Sequence, residues 1–481
     1  MRTPDRSSRH AHSLVACGAL LATLLASPAR AYDFEVSSRT EGQGYQLRRF
    51  VRDGIQFLNR RRVTQYLGLR VFNLLDDGQL PFRPGTRRTP ALLTFQAQLR
   101  FDTDFGGYMS PDQAVPELQN NALDLMQAAL QGRGLLRGWL DFTLGRQLEM
   151  EAMDFFAFDG LRLRLTSPWH VYLEAHGGTQ VLGAHPFSST VFEPDGVSGD
   201  TSQDVWAPTF GVAVGTDDLS WLHLRLAYRG VASRAPRVSG KLDSEPLWGI
   251  DEELIYFGGG LSWPRLGLRA MLGLRHNLLT GETDDLQVTG IVPIGARLSA
   301  QLEYLRARPH FDGDSIFNVF AVQPYSEVSA RASYRVLDPL ALLVRGGYRW
   351  LWSDASEGDL AERGALTVGV GASWRGERLR ANVEGYYLGN SRGATFGGDV
   401  DGAWTVWRPL TVEGRLSLLR AIDENQSQTG DRDVINFGFQ AGARWRLVSG
   451  VQLLLLFEDN VSRLYRSALR LLAVLDLELA P

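Results

Sequence analysis

The strongest constraint on the fold is a period of two. From about Leu136 to the end, runs of roughly ten to thirteen residues alternate apolar side chains with small, polar or charged ones, and a connector follows each run. Leu222, Leu224, Leu226 and Tyr228 share one parity, while Trp221, His223, Arg225, Ala227 and Arg229 share the other. The same division separates Leu340, Leu342, Val344, Gly346 and Tyr348 from Arg345, Gly347 and Arg349. Successive side chains of an extended chain point to opposite faces, so this pattern predicts strands with one apolar face.

The connectors alternate in length. Short ones, such as Ser167-Pro168, Pro264-Arg265, Leu337-Asp338-Pro339 and Arg408-Pro409, take turns with longer ones at 183–204, 233–249, 308–324, 353–364 and 423–433. Short turns at one end and long loops at the other are the layout of an all-β, up-and-down antiparallel transmembrane β-barrel. We expect about 18–20 strands: some eighteen from Leu136 onward, preceded by candidates at 62–75 and 91–102. The barrel is expected over 62–481. Residues 32–61 read as a periplasmic lead-in. The segment 111–131 carries Leu123, Leu125, Met126, Ala129 and Leu130 at helical spacing, and reads as a helical insertion on the periplasmic side.

Residues 1–31 read as a cleaved signal peptide. Arg2, Arg6 and Arg9 precede the short apolar run Leu14–Ala26, and Ala29-Arg30-Ala31 is a small-x-small cleavage site. Cys17, the one cysteine, lies in this leader, so no disulfide framework or thiolate metal cluster is expected. No later stretch offers 18 consecutive apolar residues, and the mean hydropathy is only −0.14. These features point to the outer membrane of a Gram-negative bacterium.

A soluble sandwich would fill its interior with apolar side chains. Here the inner parity carries Arg162, Arg164, Arg225, Arg229, Arg331, Arg335, Arg345, Arg349, Arg380, Arg444 and Arg446, which suits a wet lumen and a substrate path. Lys241 is the only lysine among 50 basic residues, so arginine usage also reflects a bias of the whole chain. Glu253, Glu303, Glu327 and Glu384 are expected partners of lumen arginines. Trp169, Trp263, Trp374, Trp407 and Trp445 lie beside short turns, where indoles form an interface girdle.

No enzyme constellation stands out, and no cofactor or metal is implied. His170 and His176 flank Tyr172 and Glu174 on a lumen parity, which reads as polar lining. Glu149, Glu151 and Asp154 are expected in an outer loop, with no histidine near in sequence. Gly258-Gly259-Gly260 lies within a strand pattern rather than before a helix, so it is not a phosphate loop. With a net charge of −4, nothing favours nucleic acid.

One stretch carries a family resemblance. Leu144-Gly145-Arg146-Gln147 ends a strand, and Phe158-Asp159-Gly160-Leu161-Arg162-Leu163 starts the next. This arrangement resembles the alginate-export family of outer-membrane barrels, over about 25 residues. The resemblance implies a large monomeric barrel with an arginine-lined lumen that passes an anionic polysaccharide outward, with periplasmic export machinery as a further partner. The segment Leu148–Phe156 departs from the family's usual Gly-rich link. The leading expectation is thus an outer-membrane conduit for anionic polysaccharide export. The alternative is a passive or substrate-selective diffusion porin for small solutes, including small anionic ones. A third reading is a non-conducting structural barrel anchoring an envelope complex. Outer-membrane lipid is a partner under all three.

Overall fold

A computed structural model describes residues 33–51, 54–72, 74, 92–104, 121–151, 154–181, 207–216, 219–233, 249–308, 324–351, 364–390, 393–423, 433–462 and 468–479. The expected leader at 1–31 lies outside these residues. The described chain forms one 22-stranded antiparallel sheet, in which each strand pairs with its neighbours in sequence. β1 (Asp33–Val51) pairs with both β2 (Gly54–Phe72) and β22 (Ala468–Leu479), which closes the sheet into a barrel. Closure leaves no free sheet edge, the condition for a β-structure to cross a lipid bilayer.

Eighteen of these strands, β5 to β22, follow Leu136, in line with the alternation. The count exceeds the expected 18–20 because β1 and β4 (Asn121–Gly134) were not anticipated as strands. The region read as a lead-in is β1 with the start of β2. Its register with β22 puts Ser38, Thr40, Gly42 and Gly44 opposite Leu477, Leu475, Ala473 and Leu471, so its outward parity is small and polar and shows no apolar alternation. The described part of the expected helical insertion, 121–131, is strand rather than helix. β4 pairs with β3 (Leu92–Asp104) through a register shift that leaves Met126 bulged between Leu125 and Gln127. A bulge moves the alternation by one residue. Leu123 and Leu125 before it, and Ala128 and Leu130 after it, therefore share a face while imitating helical spacing.

Leu163, Leu173, Val212, Leu226, Leu302, Val344, Val370, Leu418 and Leu471 are all exposed on the apolar parity. The opposite parity carries ion pairs across neighbouring strands, including Arg275–Asp285, Arg349–Glu327 and Arg415–Asp399. An exposed apolar band over most strands of a closed barrel, with ion pairs on the opposite face, belongs in a bilayer. No described helix is long and apolar enough to cross a membrane. The protein is an outer-membrane β-barrel of the Gram-negative type.

Candidate functional site: a hairpin folded against the lumen wall

β5 (Leu140–Glu151) and β6 (Asp154–Thr166) form one hairpin with register pairs from Leu140/Leu165 to Glu151/Asp154. The expected outer loop after Gln147 is thus strand. β4 pairs with β5 only over Ala128–Gly132 and Phe142–Arg146, among the described residues. Beyond that point the hairpin leaves the wall.

Ion pairs show where it goes. Glu149 pairs with Arg162, although the register partner of Arg162 is Thr143. Six residues of extended strand span about 20 Å, so the hairpin must bend back on itself for this pair to form. Glu151 at the tip meets Arg225 of β9 (Leu222–Ser233), four strands away, with Arg225 Nε donating to Glu151 Oε2 at 2.8 Å. Arg225 also donates to Glu174 Oε1 at 2.7 Å and to the Tyr172 hydroxyl at 3.0 Å, both on β7 (Val171–Gln180). The Phe156 ring lies 4.2 Å from the Arg229 guanidinium carbon and stacks on Phe158 at 5.5 Å, and His176 touches both rings. Phe156, Ala157 and Phe158 are buried. The hairpin tip therefore packs against the lumen face of β7 to β10 (Gly249–Trp263), held by two carboxylate–guanidinium clamps and an aromatic contact.

The bend is written in glycine. Gly145 has φ +118, and a Cβ there would meet the carbonyl oxygen of Ala128. Gly160 is its register partner, and Gly160 and Gly178 approach each other across β6 and β7 too closely to admit side chains. Arg146 and Asp159, the next register pair, form a two-pronged ion pair at 2.8 and 2.7 Å, and Arg146 Nη1 also donates to the Leu125 carbonyl at 2.9 Å. Gln147 is buried, with its amide 3.3 Å from the Gly160 carbonyl. Within the stretches that carry the family resemblance, Gly145, Arg146, Gln147, Asp159 and Gly160 are thus engaged in bending the hairpin and fastening it to β4 and β6.

The remaining inner-parity arginines fall into two groups. Arg229 donates to Glu252 at 2.8 Å, Arg345 meets Glu384 at 2.6 Å, Arg349 donates to Glu327 at 2.7 Å, and Arg444 stands 3.7 Å from Glu413. The Arg164 guanidinium stacks 3.8 Å above Tyr172. Arg331, Arg335, Arg380 and Arg446 are exposed and make no ion pair with described residues. They lie on β14 (Tyr325–Arg335), β17 (Leu379–Asn390) and β20 (Asp433–Val448). Of these four, Arg380 lines a groove of about 280 Å³, together with Asn382, Asp401, Glu413, Arg415 and Gln440.

Two of the four expected acidic partners differ from the reading. Glu303 accepts from Gln287 at 2.7 Å, and Glu253 accepts from the Tyr228 hydroxyl at 2.9 Å. Glu149 and Glu151, assigned to an outer loop, are instead the clamps, and no sequence signal other than Gly145 and Gly160 pointed to them. His170 sits in the β6–β7 turn with φ +64, away from His176. No group of three metal-ligating side chains occurs among the described residues. Trp169, Trp263, Trp374, Trp407 and Trp445 are all exposed; the first four lie at or next to short turns, and Trp445 lies within β20, shortly before its end at Val448.

No protein-family model matches the chain, and no curated protein matches it. Solved structures similar to it include OccAB4 of Acinetobacter baumannii, with 8% identity, a TM-score of 0.44, and cover of 95% of this chain and 100% of that one. OpdK of Pseudomonas aeruginosa with vanillate gives 11%, 0.43, 93% and 99%. A BenF-like porin from Pseudomonas fluorescens gives 10%, 0.40, 94% and 99%. The comparisons give no support to the alginate-export resemblance.

Proposed function

We propose that this barrel is a diffusion porin for small anionic solutes, with the folded-in β5–β6 hairpin narrowing the lumen. The observation that carries this reading is the unequal distribution of lumen charge. On the hairpin side, Arg162, Arg225 and Arg229 are each held by glutamates. Around β14 to β20, Arg331, Arg335, Arg380 and Arg446 are exposed without an acidic partner among the described residues. A guanidinium stays charged at any physiological pH and receives carboxylate in a two-pronged geometry. Weak multiple sites let an anion enter and leave again. Residues that suggested polymer export have structural work instead: Arg146 is bound to Asp159, and Gln147 is buried.

The test is planar-bilayer recording of the purified protein, with gluconate as the small carboxylate. We expect steady open currents that favour anions, concentration-dependent reduction by gluconate, and loss of the anion preference in Arg331→Gln/Arg380→Gln/Arg446→Gln. An anion preference untouched by these substitutions would overturn the proposed path. Absence of current in the native protein would overturn the porin reading in favour of a closed anchoring barrel.

A further inference from the structure

The arginines of the short turns have no place in the lumen path. Arg137, Arg265, Arg297, Arg378 and Arg408 lie in described turns at the short-turn end of the barrel, and all five are exposed. None makes an ion pair with a described residue, unlike most arginines of the lumen wall. The acids of the same described turns are Asp338 and Glu377, so these described turns carry more positive than negative charge. Exposed tryptophans accompany the arginines: Trp139 stands two residues from Arg137, Trp263 two from Arg265, and Trp407 next to Arg408. Indoles gather at the depth where acyl chains give way to headgroups. A guanidinium one or two residues closer to the water then stands at phosphate level, and its planar fork fits phosphate oxygens.

We propose that the short-turn rim binds the phosphate headgroups of anionic phospholipids in the periplasmic leaflet. Uncompensated charge makes the surface choose anionic over zwitterionic lipid. Each basic residue near an anionic surface contributes about 1 kcal/mol, or about fivefold in binding. The proposal does not depend on what passes through the lumen.

The test is native mass spectrometry of the purified full barrel in detergent, with equal amounts of dioleoylphosphatidylglycerol and dioleoylphosphatidylcholine added. The native protein is expected to retain phosphatidylglycerol about fivefold or more over phosphatidylcholine. Arg265→Gln/Arg297→Gln/Arg378→Gln/Arg408→Gln should bring that ratio close to one, with bilayer conductance unchanged. Should the fourfold variant fail to give a heat-modifiable barrel, the double variant Arg265→Gln/Arg408→Gln should show the fall in part. Equal retention of both lipids by the native protein, or a preference untouched by the substitutions, overturns the proposal. So does a periplasmic protein that co-purifies through these arginines without any lipid preference, because the rim would then be a protein-docking surface.

Discussion

At the scale of single residues, Gly145 decides the geometry of the lumen. Its φ of +118 is open to glycine and strained for any other residue, and Ala128 leaves no room for a Cβ. Gly145→Ala should therefore destabilise the folded-in hairpin by about 1–3 kcal/mol. Heat-modifiability on gels should show a lower transition temperature, and bilayer recording a larger open current. Gly44, where a Cβ would meet nothing, is the control: Gly44→Ala should leave both unchanged. The clamps depend on this glycine. Alternation alone puts Arg162, Arg225 and Arg229 on the inner parity, so three of the site's cations are legible in the sequence. Their partners Glu149 and Glu151 are not, since an unbent β5 would carry both far beyond Arg162 toward the long-loop end. Releasing one clamp should act on the channel without unfolding the wall. Glu151→Gln leaves Arg225 with Glu174 and should raise the open current, and an unchanged current would show that the tip does not narrow the path.

At the scale of elements, the strands divide by how cleanly their outer parity is apolar. β15 (Leu340–Leu351) presents Leu342 and Val344 outward and Arg345 and Arg349 inward, and reads directly as a strand. A cation on its lipid face is costly. Val344→Arg should destabilise the barrel by about 2–4 kcal/mol, as measured by urea unfolding in lipid vesicles. Ala341, on the other parity of the same strand, should accept arginine at little cost. β4 fails the same test of pattern because one bulge at Met126 shifts its parity midway. β1 fails it because its outward residues are small or hydroxylated, and Gln65 of β2 hydrogen-bonds Ser38 at 2.9 Å on that outward parity. Neither strand can be recognised by amphipathic period, and both are settled by the backbone pairing their neighbours require.

At the scale of the molecule, closure is the property that the rest depends on. β1 is the only described strand joining β22 to β2, and without it two edges would face lipid with unpaired backbone groups. Deleting residues 33–51 should abolish the heat-modifiable folded form, whereas a true periplasmic lead-in would be dispensable for it. The sequence by itself determined the class of structure. A period of two with alternating connector lengths has no other stable use than strands whose apolar face meets lipid and whose arginine-bearing face meets water. Tertiary structure alone decided the strand number, the closing pair, and the path of the β5–β6 hairpin. Each of these turns on long-range backbone pairing or on a single positive φ, and neither leaves a periodic trace in the order of the residues.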